Sequence, residues 1–170
     1  MIDAAYILCM ARYNRWQNES LYRVADGLTD DARRLMRGAF FGSIHRTLNH
    51  ILWGDMIWMS RFAKTDKPQA GMSGSAELHA EWRDLVAARK AFDDTIENWA
   101  EKLDPSWPEG NLTWFSVITQ TERSMPRWVL VTHMFNHQTH HRGQVHAMLT
   151  QAGGKPDDTD LMLMTNIPYL

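Results

Sequence analysis

The chain contains one cysteine, Cys9, in 170 residues, so an internal disulfide is excluded and a reducing compartment suits it. Cys9 lies in the apolar run Ala4–Ala11 and reads as a buried, inert thiol. Basic clusters are missing as well. With 18 Lys and Arg against 20 Asp and Glu, a net charge of −2, no segment gathers the positive charge that neutralising phosphates requires, which argues against nucleic acid as a partner. No apolar run reaches the length of a membrane span, and the N-terminal run has no basic lead-in of an export signal. The expectation is a cytoplasmic protein with no membrane partner, in which the glycosylation-type triplets at Asn18 and Asn111 carry no weight. Gly71-Met72-Ser73-Gly74 falls short of a nucleophile elbow, because its spacing is wrong and no strand precedes it. Internal repeats, low-complexity tracts and linkers are also absent. What remains, 44% hydrophobic and 22% charged residues, predicts one soluble globular domain over residues 1–170.

Histidine is what the chain has. Four of the eight fall in the stretch His133 to Gln144. Residues four apart on a helix stand one above the other, so His137 and His141 present their rings to the same side. Steps of three and four place them in the stripe Leu130, Met134, His137, His141, Val145 and Met148, which makes their face the buried one. A buried imidazole without a partner costs about 1–3 kcal/mol, and a shared cation would satisfy both rings at once.

Helical periodicity organises the rest. Residues from about Asp3 to Asp26 repeat Tyr6, Met10, Tyr13, Gln17, Leu21 and Val24, with Gly27 as the stop and Arg12, Arg15, Glu19 and Arg23 on the wet side. A short helical piece follows Thr29 and ends by Gly38. Ser43 caps a second main helix from about Ile44 to Ala63. A solvated loop runs from Lys64 to Ser75, and a third helix from about Ala76 to Leu103. Pro105, Pro108 and Gly110 break that helix. The β-branched and aromatic run Leu112–Thr119 can then form one strand of a small hairpin returning through Met125. Pro126 suits the first turn of a fourth main helix that ends before Gly153-Gly154. The tail, with apolar groups at Leu161–Met164 and Ile167–Leu170, is expected to dock on the bundle or on a second subunit. Four long amphipathic helices make an all-α four-helix bundle, a fold that builds metal sites from side chains on facing helices.

Two histidines are only part of a site, since zinc usually takes three or more protein ligands. His50 is the best third donor, being mid-helix between Leu48, Ile51 and Leu52. His45, near the helix start, reads as wetter; His133, one turn before His137, could be a fourth ligand; His79, His140 and His146 read as surface residues. Trp53, Trp58 and Trp114 are candidates for a pocket mouth, and Arg142 and Gln144 for ties between helices.

Tyr13-Asn14-Arg15-Trp16, Leu48-Asn49-His50-Ile51-Leu52-Trp53-Gly54-Asp55 and above all His137-Gln138-Thr139-His140-His141-Arg142-Gly143-Gln144 resemble the DinB superfamily of bacterial four-helix-bundle metalloproteins, unrelated to the DNA polymerase of that name. The resemblance runs from the first helix to Gly153-Gly154. It implies an up-down-down-up bundle, frequent homodimers, and three histidines around a divalent ion, which carry over to His50, His137 and His141. It also implies chemistry with low-molecular-weight thiols, since relatives include thiol-dependent S-transferases and an isomerase.

Three neutral nitrogen donors leave a position open, as catalytic zinc sites do. Zinc and nickel both suit imidazole. The leading expectation is a transferase that activates a thiol for attack on a small-molecule electrophile. The alternatives are a hydrolase using water on the ion and a non-catalytic metal-binding stress protein. Asp55 is the nearest carboxylate, either a general base or a hydrogen-bond partner of a ligand imidazole.

Overall fold

A computed structural model describes residues 2–117 and 119–167. The main helices are α1 (Ala4–Asp26), α3 (Ile44–Phe62), α4 (Trp82–Glu101) and α5 (Arg127–Gln151), with a five-residue α2 (Asp30–Arg34) between the first two. Strands β1 (Asn111–Ser116) and β2 (Thr121–Pro126) pair antiparallel just before α5, so the expected hairpin is present. Asp3 and Ser43 cap α1 and α3, their side chains accepting from the amides of Tyr6 and Arg46.

Contacts fix the direction of each helix. Arg12 reaches Glu101, and Trp82 donates to Asp26 at 2.7 Å, so α1 and α4 are antiparallel. Tyr6 meets Phe135 and Arg142 donates to Asn14, so α1 and α5 are parallel. Trp58 meets His133 while His50 meets His141, which sets α3 against α5. His45 lies by Trp82 and Phe62 by Trp99, which aligns α3 with α4. The bundle is up-down-down-up.

The third helix begins later than its apolar pattern suggests. Residues 72–77 form a tight 3-10 turn instead, and the chain after it is pinned across α3. There the His79 amide donates to Asn49 Oδ1 at 2.7 Å, while Asn49 Nδ2 donates to the His79 carbonyl at 3.2 Å. Those bonds use backbone groups that a helix would need for its own ladder, so α4 starts at Trp82. His45 is part of the same clamp, its Nε2 2.9 Å from the His79 carbonyl. It is therefore buried, not wet, and His79 is half-buried rather than a free surface residue.

The apolar core is divided. One cluster packs Leu21, Ile44, Leu48, Leu52, Leu85, Val145 and Leu149; the other packs Ile7, Met59, Ile96, Leu130, Val131 and Phe135. Between them each main helix contributes buried polar groups: Asn14 and Asn18, Asp55, Arg89 and Asp93, Gln138 and Arg142. Arg89 donates to Asp55 at 2.6 Å and lies 2.9 Å from Asp93, which also accepts from Asn14 and Asn18. Two guanidinium groups thus balance two carboxylates, the condition under which charge can be buried. Arg142 ties α5 to α1 as expected.

The tail docks along α1 through polar contacts. Tyr13 donates to the Thr159 carbonyl at 2.6 Å, Gln17 to the Asp158 carbonyl at 2.9 Å, and Ser20 accepts from the Asp157 amide. Met164 is buried, whereas Leu161, Met162 and Leu163 stay exposed. Ile118 of the predicted strand and residues 168–170 of the tail lie outside the described residues. No described helix is long and apolar enough to cross a membrane.

Candidate metal centre

Two turns of α5 carry both the polar layer and the histidine pair. Gln138 and Arg142 face the bundle interior, while His137 and His141 turn toward α3, where His50 projects from the middle of its helix. The antiparallel pairing of α3 and α5 brings the three rings together. Ring centroids are 5.0 Å apart for His50 and His137, 4.9 Å for His50 and His141, and 4.6 Å for His137 and His141. One nitrogen from each ring lies within 4.8 Å of the others. Among the described residues these three form the group that could hold an ion. His133 stands off, its ring 6.1 Å from His137, and His140 is exposed.

Hydrogen bonds select the tautomers. His50 Nδ1 is 2.9 Å from Ser75 Oγ, and His141 Nδ1 is 3.0 Å from Gln144 Oε1. An amide oxygen only accepts, so His141 carries its proton on Nδ1 and leaves Nε2 as a lone pair. The Ser75 hydroxyl is able to donate or accept; when it accepts from His50 Nδ1, Nε2 is the lone pair there as well. An acceptor on the outer ring nitrogen is the arrangement that orients metal-binding imidazoles, and here a hydroxyl and an amide oxygen stand in that place.

His50 Nε2 and His137 Nε2 face each other at 3.0 Å. Tetrahedral zinc, with nitrogen ligands at about 2.0–2.1 Å, spaces its donors about 3.3 Å apart, so the first pair is already near that separation. His137 Nδ1 is buried with no partner among the described residues. An all-nitrogen, partly buried donor set with one ring short of hydrogen bonds fits a divalent cation of the zinc or nickel kind.

Electrostatics favours the ligating form. Burial, with the nearby His141, pushes His50 down to about 4. Burial and the surrounding histidines push His137 down to about 3. His141 is also lowered by burial, its bond to Gln144 opposing the shift. All three rings are neutral at pH 7 and present lone pairs.

Three features escaped the reading of the sequence. Phe41, in the turn before α3, stacks on His50 with centroids 3.8 Å apart and lies 5.4 Å from His141. Ser75 comes from the 3-10 turn. Gly54 of α3 lies beneath the His137 ring, where a Cβ would come 2.8 Å from Cε1 and 3.2 Å from Nδ1. Gly54 alone had a signal, because a glycine inside a helical pattern costs about 1 kcal/mol and implies a packing reason. Asp55 is placed otherwise than as a partner of a ligand imidazole, for its two oxygens accept from Arg89 and Gln138. Of the tryptophans proposed for a pocket mouth, Trp53 stacks near His50 at 5.9 Å and donates to the Ala70 carbonyl. Trp58 and Trp114 lie together further along α3. Two clefts of about 340 and 350 Å³, between α1 and α4 and between α1 and α5, are lined by none of the three imidazoles.

Comparison with known proteins bears on the family and the fold. A family model described as the DinB family matches residues 1–167. Protein DinB of Bacillus subtilis (strain 168) is 27% identical over 167 residues, covering 94% of this chain and 92% of that one. A crystal structure of a DinB-like protein from Bacillus cereus ATCC 10987 shares the fold, with a TM-score of 0.62 at 20% identity, across 85% of this chain and 91% of the other.

Proposed function

The chain belongs to the DinB family, and from that premise we propose that His50, His137 and His141 hold a divalent ion, zinc or nickel, and that the protein is a transferase activating a low-molecular-weight thiol. The observation that carries the proposal is the convergence of three neutral imidazole nitrogens within 4.8 Å, without a carboxylate among them. A divalent ion held there with an open position would lower the pKa of a thiol that reaches it. The residues do the remainder. Gln144 holds the His141 ring in the tautomer that leaves Nε2 free, and Ser75, when it accepts from His50, does the same there. Phe41 covers the His50 ring and limits water on that side, and Trp53 adds a second aromatic wall. The thiol gives its proton to solvent, its sulfur lone pair forms the new bond to an electrophilic carbon, and the leaving group departs with the electrons of the bond that breaks.

Hydrolysis is less favoured because Asp55, the nearest candidate for a general base, is held by Arg89 and Gln138 in the polar layer. The test is to load the purified chain with zinc or nickel and offer glutathione, bacillithiol or mycothiol with a generic electrophile. Conjugation that needs both the metal and the thiol is the expected result. Metal-dependent cleavage of an ester without added thiol would favour the hydrolase, and metal-dependent stability with no turnover would favour a binding protein.

A further inference from the structure

The face shared by α3 and α5 continues past the imidazoles. Trp58 lies 5.2 Å from His133, and the Arg61 guanidinium lies over two indoles, 4.6 Å from the Trp58 ring and 5.6 Å from that of Trp114. Trp114 is on β1, directly opposite Arg123 of β2. Residues paired in this way share a face of the hairpin, and Leu112, Trp114 and Met125 of that face pack on the bundle. Arg123 is therefore on the Arg61 side. Glu122 pairs with Phe115 on the other face.

Arg61 is half-buried, and burial holds its pKa below the usual arginine range. Several arginines lack an ion pair, but Arg37, Arg127 and Arg142 of that group donate hydrogen bonds; among the described residues Arg61, Arg83 and Arg123 have neither, and of these three Arg61 alone is half-buried. The Arg61 cation sits in the corner made by two indoles set at 70° to one another, and none of its N–H groups has a hydrogen-bond partner among the described residues. A guanidinium fixed in that way loses little freedom when it binds a planar anion through two parallel hydrogen bonds. Arg61 is seven residues from Gly54, the residue under His137, which corresponds to about 10 Å along the helix.

We propose that Arg61, supported by Arg123, is a carboxylate-binding subsite for a molecule whose other end reaches His50, His137 and His141. The proposal rests on the metal-centre reading for the second contact point only. It assigns the substrate class: an elongated molecule with a carboxylate at the end remote from its reactive group, the separation being what the graded chain lengths below read out. A role limited to bracing the hairpin would need the stacking but no anion.

The experiment uses the full chain loaded with zinc, titrated calorimetrically with ω-mercaptoalkanoates of graded chain length and with the matching mercaptoalkanols. At the length that spans the two points, the carboxylate should bind about tenfold more tightly than the alcohol, as a charge-assisted hydrogen-bond pair implies. In Arg61→Met that advantage should vanish with alcohol affinity, zinc stoichiometry and helicity unchanged. Arg61→Lys should keep part of it, and Arg123→Gln should reduce it. Equal affinity for carboxylate and alcohol at every length in the native chain overturns the proposal. If elemental analysis finds no bound zinc, the metal reading fails separately, and the subsite is judged with plain alkanoates on the metal-free chain. Binding that weakens in Arg61→Met then upholds it, and binding that is absent or indifferent to Arg61 overturns it. Should Arg61→Met not fold, Arg61→Lys and Arg123→Gln decide the same comparison.

Discussion

Gln138 of α5 donates to Asp55 of α3 at 2.8 Å, one residue beyond the point where His137 of α5 lies against Gly54 of α3. The two contacts lock the helices in register at the level of the imidazoles. The polar layer and the histidine cluster are consequently parts of one interhelical seam, and substitutions in either should be felt in the other.

Replacing Gly54 with Ala separates metal affinity from folding. The added methyl would sit 2.8 Å from His137 Cε1, an overpacking that costs about 1–3 kcal/mol and is partly offset by about 1 kcal/mol of helix propensity. Thermal stability of the metal-free chain should fall by no more than about 2 kcal/mol, while zinc affinity, measured by competition with a chelating dye, should fall further than that loss accounts for, because His137 must move. Unchanged zinc affinity would show that the close approach has no bearing on the ion.

The ligands and their outer partners should differ in degree. Ser75→Ala and Gln144→Ala each release one ring nitrogen, a change that costs metal sites about 10–100-fold in affinity. His50→Ala, His137→Ala and His141→Ala remove a donor, so each should lose more than that. Elemental analysis and dye competition across the five variants give the ranking, and equal losses in both groups would contradict it.

Asp55→Ala tests the layer itself. It leaves Arg89 buried with one carboxylate in place of two, and breaking a buried pair from one side costs about 3–5 kcal/mol. The urea midpoint of unfolding should drop accordingly in the metal-free chain, and by more in the loaded one, because loosening the seam at Asp55 also weakens the grip of the neighbouring imidazoles on the ion. A loss below about 1 kcal/mol, the scale of an exposed ion pair, would mean that water reaches Arg89.

Acidification should destabilise the metal-free fold. The folded-state pKa of His50 is about 4 and that of His137 about 3, each below the ordinary histidine value of 6.5. Between these values and 6.5 the unfolded chain binds more protons, so stability rises with pH across the window and is lost as pH falls through it. Bound metal should oppose the loss near pH 6 and cease to do so as the rings protonate. The buried carboxyls of Asp55 and Asp93, raised by burial, act in the opposite sense, so the histidine part is read as the difference between the native chain and His137→Phe in chemical denaturation at a series of pH values, with and without zinc; a difference that is flat from pH 6.5 to 4.5 would contradict the assignment.

Local repetition made much of this protein legible from its sequence. The four main helices follow from apolar residues at steps of three and four, and the placing of His137 and His141 on one face follows from the helix itself. His50 was a candidate by its surroundings and was brought in by its motif. The polar layer was not legible. Arg89 and Asp93 are four apart, as exposed charge pairs commonly are, and only the packing of α4 against α1 and α3 puts them inside. The site's supports likewise come from afar: Ser75 meets His50 across 25 residues and His137 meets it across 87. Periodicity specifies which side of a helix is buried, because that depends on neighbours within a turn or two. Which groups meet there depends on how helices distant in sequence are set against one another, and only the folded bundle decides that.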